Sequence, residues 1–436
     1  MSTQRRALVI GGSIGGLFAA NWLRAIGWNV TVFERVKDDL ASRGAGIGTH
    51  DELRAVIRRL GLTVDETIGV WVHTRICLDR SGRISHQLAT SQLQSSWARV
   101  YRLLKDAFPT ADYRFGMALE RIEQGAGGVT AIFSDGSRER GDLLVGADGV
   151  RSTVRELLLP EAQPRYAGYV AWRGLVDEAT FSSAADKELF ERYTMCFPEG
   201  EMMLCYPVPG RDNDTRPGRR GYNHIWYRPT DGRETLPLLC TDASGHCHGI
   251  SIPPPLIRPE VTARIKAEAR ELLAPQIAAV VGRTDQLFFQ AVFDLESPRL
   301  ALGRVVLLGD AGFVARPHVG VGVTKAALDA ECLAREIKAA DGDLDAALAR
   351  YDRERRLFGS RIVARARRLG AYIEARLKPP SERTEAERQP PPEYLMREIG
   401  TITLDIKALT APEETSVTSD NKLFQKSTLP RFGGEG

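Results

Sequence analysis

The stretch that most constrains this chain is Ala7 to Arg35, ALVIGGSIGGLFAANWLRAIGWNVTVFER. Its apolar run Ala7–Ile10 has the length and composition of a buried parallel strand, and a glycine turn follows at once. Leu17, Ala20 and Leu23 then recur at helical spacing until Gly27, and Val30 to Phe33 make a second strand closing on Glu34. This is one complete strand-helix-strand unit, so the chain opens as an α/β fold. Arg5 and Arg6 ahead of an apolar run imitate a secretory leader, but glycines in phosphate-loop register and the lack of a convincing cleavage site oppose that reading.

The glycines divide the work. Gly11 makes the turn and Gly16 lets the helix pack closely on the strand, while the middle position lets backbone approach a pyrophosphate. Here that position is Ser13, so G-x-G-x-x-G reads G-G-S-I-G-G and a hydroxyl can point toward phosphate. Ile14 opens the helix, whose unpaired N–H groups and partial positive charge suit a diphosphate. Glu34, with Arg35 beside it, lies where an acid accepts adenosine ribose hydroxyls and repels a phosphorylated ribose. FAD or NAD is therefore favoured over NADP at this site.

At 436 residues, 43% of them hydrophobic, the chain has material for two domains or one large composite. No apolar run approaches a membrane span, and 59 basic against 56 acidic residues leave a formal charge of +3. Neither nucleic acid nor membrane is implied as a partner. Six cysteines without C-x-x-C spacing argue against a disulfide framework and fit a reducing cytoplasm. His246, Cys247 and His248 are consecutive, and consecutive residues rarely converge on one ion, so no metal is expected.

Beyond Glu34, Gly44, Gly46 and Gly48 mark backbone passing close to a ligand edge, with Gly46 the candidate contact. Residues Val70 to Leu88 alternate as strands, and Trp97 to Phe108 read as a helix. A hairpin around Ser134-Asp135-Gly136 leads to Leu143–Val145 and then Gly146-Ala147-Asp148-Gly149-Val150-Arg151. Tyr169 to Val176, Met202 to Pro207 and Gly221 to Tyr227 read as an antiparallel sheet. A helix, Val261 to Leu273, and a strand, Gln286 to Asp294, precede Arg304-Val305-Val306-Leu307-Leu308-Gly309-Asp310. That buried strand delivers an acid to its carboxyl end, the ligand side of an open parallel sheet. Pro317-His318-Val319-Gly320-Val321-Gly322 then precedes a helix, Val323 to Lys338.

The Asp148-Gly149 segment resembles the D-G motif, and Gly309-Asp310 the G-D motif, of the class A flavoprotein aromatic hydroxylases. The likeness spans roughly Ala7 to Ile373, and Gly168 to Gly174 and Arg316-Pro317-His318 are similar to the branch containing dihydroxypyridine hydroxylase. Phe313 stands where the family usually has a histidine, and Trp97 where it has an arginine. The resemblance implies a Rossmann-like FAD-binding domain, p-hydroxybenzoate hydroxylase-like, interleaved with an antiparallel-sheet substrate domain. On this reading 1–75, 96–165 and 286–340 bind FAD, 76–95 and 166–285 form the substrate sheet, 341–377 add helices, and 378–436 are an extended linker and tail. Glu398 to Leu409 is the ordered candidate of that tail, able to pack on the body or on the partner subunit of a homodimer.

The same resemblance implies an FAD-dependent monooxygenase that uses NADH or NADPH and O2, through a flavin C4a hydroperoxide, to hydroxylate a small aromatic substrate. Asp148 and Arg151 would support FAD and handle NAD(P)H, and Asp310 would bind the flavin ribitol. Pro317, Gly320, Val321 and Gly322 would bring backbone N–H groups to the flavin's pyrimidine edge. A base that ionises a ring hydroxyl would lower the barrier. Candidates are His224 and Tyr222, which share a strand face with Trp226, and His318 beside the flavin loop.

Overall fold

The computed structural model describes residues 4–40, 46–65, 68–125, 127–181 and 189–400. Arg6–Ile10 lies between Asn29–Glu34 and Leu143–Gly146, parallel to both, with Val9 opposite Val32 and Val145. Val305–Leu307 and Tyr113–Phe115 add parallel strands on the two flanks, and Ala301–Leu302 closes one edge antiparallel. Helices Ile14–Ala25 and Gly322–Ala339 and the three-stranded meander spanning 119–141 bury this six-stranded sheet in one apolar core. A Cβ on Gly11, where φ is +103°, would come within 2.5 Å of the Ala147 carbonyl oxygen. One on Gly16 would lie 1.8 Å from the Gly11 carbonyl oxygen, so both positions need glycine for the turn to close on its neighbours.

A second sheet of nine strands runs from Phe313–Val314 through Phe288–Glu296, Arg165–Asp177, Gly221–Pro229, Met202–Val208, Tyr193–Cys196, Val70–Leu78 and Ile84–Ser96 to Gly46–Thr49. Period-two alternation gives it two faces. Val170, Trp172, Cys205, Tyr222 and Trp226 pack with helices Pro259–Leu272 and Pro275–Arg283. Tyr169, Ala171, Leu204, Tyr206, Ile225 and Tyr227 form the other face, with Tyr372 and Ile373 from the long helix Leu344–Glu374 packed among them.

Two expectations are corrected here. Gly46–Thr49, the start of Val70–Leu78, and Phe288–Glu296, which the sequence groups with the nucleotide-binding part, are all hydrogen-bonded into the nine-stranded sheet. A strand's own residues carry no record of which distant strand it pairs with. The stretch 378–393 is not an extended linker. It makes short turns at Pro380–Glu382 and Glu385–Glu387, the second closed by a Thr384–Glu387 capping box, and leads into the helix Pro392–Glu398. Its prolines stand at helix starts, where a missing N–H costs nothing. Leu395, Met396 and Ile399 are buried, while most of the expected Glu398 to Leu409 element lies outside the described residues. Among the described residues no helix is long and apolar enough to cross a membrane.

Candidate active site

The carboxyl ends of the parallel strands open on a cavity of about 530 Å³ lined by Gly11, Ser13, Ile14, Glu34, Arg35, Asp148, Asp310 and Gly322. A second cavity, of about 800 Å³, shares Ser13, Arg35, Asp148, Asp310 and Gly322 with the first, so the two run together. Its further walls are Gly46, Arg151, Pro317, Gly320 and Val321, with Arg173, Tyr206, Ile225, Gln290 and Val292 from the nine-stranded sheet. Gly16 lines neither cavity and serves packing.

The lining groups are held from below. The Glu34 carboxylate accepts the Gly12 N–H at 2.8 Å and the Val36 N–H at 2.9 Å, which fixes the glycine turn and still leaves acceptor capacity. Tyr113 donates its hydroxyl to the Gly12 carbonyl at 2.9 Å. Asp148 accepts from Ser152 Oγ at 2.6 Å and from the Val154 N–H at 3.1 Å, so its carboxylate starts the helix Thr153–Leu158. Burial pushes the Asp148 carboxyl up, against those hydrogen bonds. Arg155 on that helix donates to the Ala311 carbonyl at 2.9 Å, tying the D-G segment to the G-D segment. Asp310 is half exposed, with one oxygen 3.4 Å from the buried Lys325 ammonium, which also donates to the Phe313 carbonyl at 2.6 Å. Trp97 lines the smaller cavity and stacks on Tyr101.

These residues fit a dinucleotide. The helices Ile14–Ala25 and Gly322–Ala339 both begin at the cavities with no side-chain cap and no acid in the first turn. Ser13 leaves its hydroxyl uncommitted to capping, so the first-turn N–H groups of both helices remain as donors to an anionic ligand.

The three candidate bases are placed elsewhere. Tyr222, His224 and Trp226 do share a face, but it is the face turned to the helices Pro259–Leu272 and Pro275–Arg283. His224 Nε2 lies 2.8 Å from Thr284 Oγ1, whose hydroxyl donates to the Val280 carbonyl, and Tyr222 donates to Thr194 Oγ1 at 3.2 Å. His318 turns its ring into the core, with Nε2 3.0 Å from the Tyr169 hydroxyl and Tyr227 packed edge-on. Burial lowers both imidazoles to about 3, helped by the charge of Arg173 at His224 and of Arg316 at His318. Among the described residues neither cavity has a histidine in its lining. Alternation reveals which residues share a face, but not which face meets the site. Sequence reasoning overlooked Arg173, Gln290 and Arg155. The available signal at Arg173 was one charge inside the otherwise apolar strand Tyr169 to Val176.

An FAD binding domain family matches residues 4–217, and an FAD binding domain-like family matches 166–294. The chain is 31% identical over 363 residues to the FAD-dependent urate hydroxylase of Klebsiella pneumoniae, covering 80% of this chain and 85% of that protein. It belongs to the class A flavin monooxygenases. To the 2,6-dihydroxypyridine 3-monooxygenase of Paenarthrobacter nicotinovorans this flavin monooxygenase is 29% identical over 373 residues, 85% of the chain and 92% of that protein. The structure of 2,6-dihydroxypyridine-3-hydroxylase from Arthrobacter nicotinovorans matches with a TM-score of 0.79 at 26% identity, over 92% of this chain and 98% of that one. Klebsiella pneumoniae HpxO complexed with FAD and uric acid matches at 0.68 and 27% identity, over 85% and 89%. The cofactor of this monooxygenase is FAD.

Proposed function

We propose that this flavin monooxygenase hydroxylates a small, planar, electron-rich ring of the hydroxypyridine or phenol type, with NAD(P)H as reductant and O2 as oxidant. The observation that carries the reading is the union of two cavities, one at the carboxyl ends of the parallel strands and one walled by the Arg173, Tyr206 and Ile225 face of the nine-stranded sheet. When bound and reduced, FAD supplies the activation of dioxygen for transfer to a ring. The chain's own residues bind, orient and exclude water. Glu34 would receive the adenosine ribose, and Ser13 and the first turn of Ile14–Ala25 the diphosphate. Asp310, with the Lys325 ammonium behind it, would receive a hydroxyl of the ribityl chain, and the start of Gly322–Ala339 would face the pyrimidine edge of the flavin. Asp148 and Arg151 would support the cofactor and meet NAD(P)H.

Ile225, Val292, Val314 and Pro317 give the larger cavity apolar walls for the faces of a flat ring. The relatives named for dihydroxypyridine, 6-hydroxynicotinate and 3-amino-4-hydroxybenzoate act on rings of this size. The test is oxygen uptake and NAD(P)H oxidation by the FAD-loaded enzyme with hydroxypyridines, hydroxynicotinates and phenols, with product and H2O2 assayed in parallel. Stimulation by one class with product formed is expected. Flavin reduction without ring-stimulated oxygen uptake across all three classes would overturn the reading.

A further inference from the structure

Arg173 stands on the cavity face of its strand, opposite Ile225 on Gly221–Pro229 and Phe288 on Phe288–Glu296. Its Nη1 donates to Gln290 Oε1 at 2.8 Å, and its Nε is buried with no hydrogen-bond partner. Among the described residues no carboxylate pairs with it. Other buried arginines are compensated, Arg75 and Arg155 by several backbone carbonyls each and the rest by carboxylates. Arg316 has Asp294 and Glu374, Arg220 has Glu178, and Arg355 has Asp329. A half-buried cation held only by a neutral amide at a cavity wall keeps its charge for a ligand.

We propose that Arg173 sets the specificity of the site by charge, its guanidinium receiving an anionic oxygen of the ring, either an ionised hydroxyl or a carboxylate. The inference rests on the aromatic-hydroxylase reading and supplies what the misplaced histidines leave open. An opposite charge favours the ionised form of a bound acid, so a ring hydroxyl is ionised on binding without a side-chain base, its proton leaving to solvent water. Gln290 orients the guanidinium, and the apolar neighbours Ile225 and Val292 keep the pair in a poorly screened setting.

The groups facing Arg173 do not titrate near neutrality. On neighbouring strands, burial pushes the Tyr206 hydroxyl up to about 12 and the Tyr227 hydroxyl above its usual range, with Arg173 pulling both down. His224, across the sheet, stays neutral far below pH 6. Gln290 carries no charge. A pH dependence of binding between about 6 and 9 would therefore belong to the ring.

The experiment titrates the oxidised, FAD-loaded enzyme with matched probes, following the flavin absorbance. These are 6-hydroxynicotinate against 6-hydroxynicotinamide, 4-hydroxybenzoate against 4-hydroxybenzamide, and a fluorinated phenol that ionises near neutrality. Wild type is expected to bind each carboxylate about tenfold or more tightly than its amide, and the phenol more tightly as pH rises through its own ionisation. Arg173→Gln removes that preference and flattens the pH dependence while the amides keep their affinity within about twofold. Arg173→Lys retains part of the preference, which separates loss of charge from a damaged fold. Equal binding of anion and amide by wild type overturns the proposal, as does an Arg173→Gln variant that weakens both alike at equal FAD content. Charge selection that persists in an enzyme hydroxylating none of these rings would support the role of Arg173 and refute the substrate reading instead.

Discussion

Asp310 and Lys325 form a pair in which the cation is buried and the carboxylate is half exposed to the cavity. Removing the carboxylate takes away both a candidate ligand acceptor and the charge that faces the ammonium. Asp310→Ala is expected to weaken FAD binding roughly ten- to a hundredfold, on the order of 1.5–3 kcal/mol, with Asp310→Asn in between because it keeps one acceptor. Flavin titration of the apoprotein measures this, and unchanged affinity would count against placing the flavin chain at Asp310. The two histidines act on stability. Their folded values near 3 lie below the ordinary 6.5, so the unfolded chain takes up protons first as pH falls. Stability from this source is complete above about pH 6.5 and declines between 6.5 and 3, at about 1.4 kcal/mol per pH unit for each imidazole. Urea unfolding at pH 7.5 and 5 should show a smaller loss for His224→Gln than for wild type, and an identical loss would refute the assignment.

At the scale of elements, the helix Pro392–Glu398 is tied to the loop Pro317–Gly322 by polar groups. Buried Arg75 donates to the carbonyls of Met396, Ile399 and Gly400 and to Gln92 Oε1, at 2.6 to 3.0 Å. Gly400 in turn donates its N–H to the His318 carbonyl at 2.9 Å. The side chain of His318 thus belongs to the core while its backbone carbonyl anchors Gly400 against the cavity loop. Arg75→Met keeps apolar bulk but loses every one of those donors, each worth about 1.5–3 kcal/mol as a charge-assisted bond. The expected result is rapid cleavage beyond Pro391 under limited proteolysis with the rest of the chain resistant. Wild-type resistance would show that apolar burial of Leu395, Met396 and Ile399 suffices.

Over the whole molecule, the two sheets meet at the joined cavities, and the elements around them are bound by a buried ion network. Asp294 on the nine-stranded sheet accepts from Arg316 and from Arg367 of the long helix, and Arg316 also reaches Glu374. Burial alone would raise the Asp294 carboxyl, but the two guanidinium groups hold it below the usual range. A dinucleotide filling the cavity between such bodies binds the folded chain alone, so removing FAD should lower the thermal midpoint. The midpoint should rise with the logarithm of free FAD, reaching about 2.7 kcal/mol of added stability at a hundred times Kd. Calorimetry of apoprotein at graded FAD checks this, and a midpoint indifferent to FAD would mean that the cavity does not hold it.

Local sequence determined what depends on neighbours along the chain. The glycine spacing of Gly11 and Gly16, the apolar run before them and the acid at Glu34 specify a strand-turn-helix-strand unit, because backbone sterics and helical periodicity act within a few residues. The alternation of Tyr222, His224 and Trp226 was equally legible, since side chains on a strand repeat every two residues. Tertiary structure alone decided that this face meets two helices and that Ile225, Tyr206 and Arg173 meet the cavity. It also decided that Phe288–Glu296 joins the nine-stranded sheet and that the proline-rich stretch folds back on the body. Those outcomes rest on pairings between residues far apart in sequence, from His224 with Thr284 to Arg165 with Asp294 and Arg75 with Gly400. Their energies come from burial and hydrogen bonds that exist only once distant segments have met, so no window of sequence contains them.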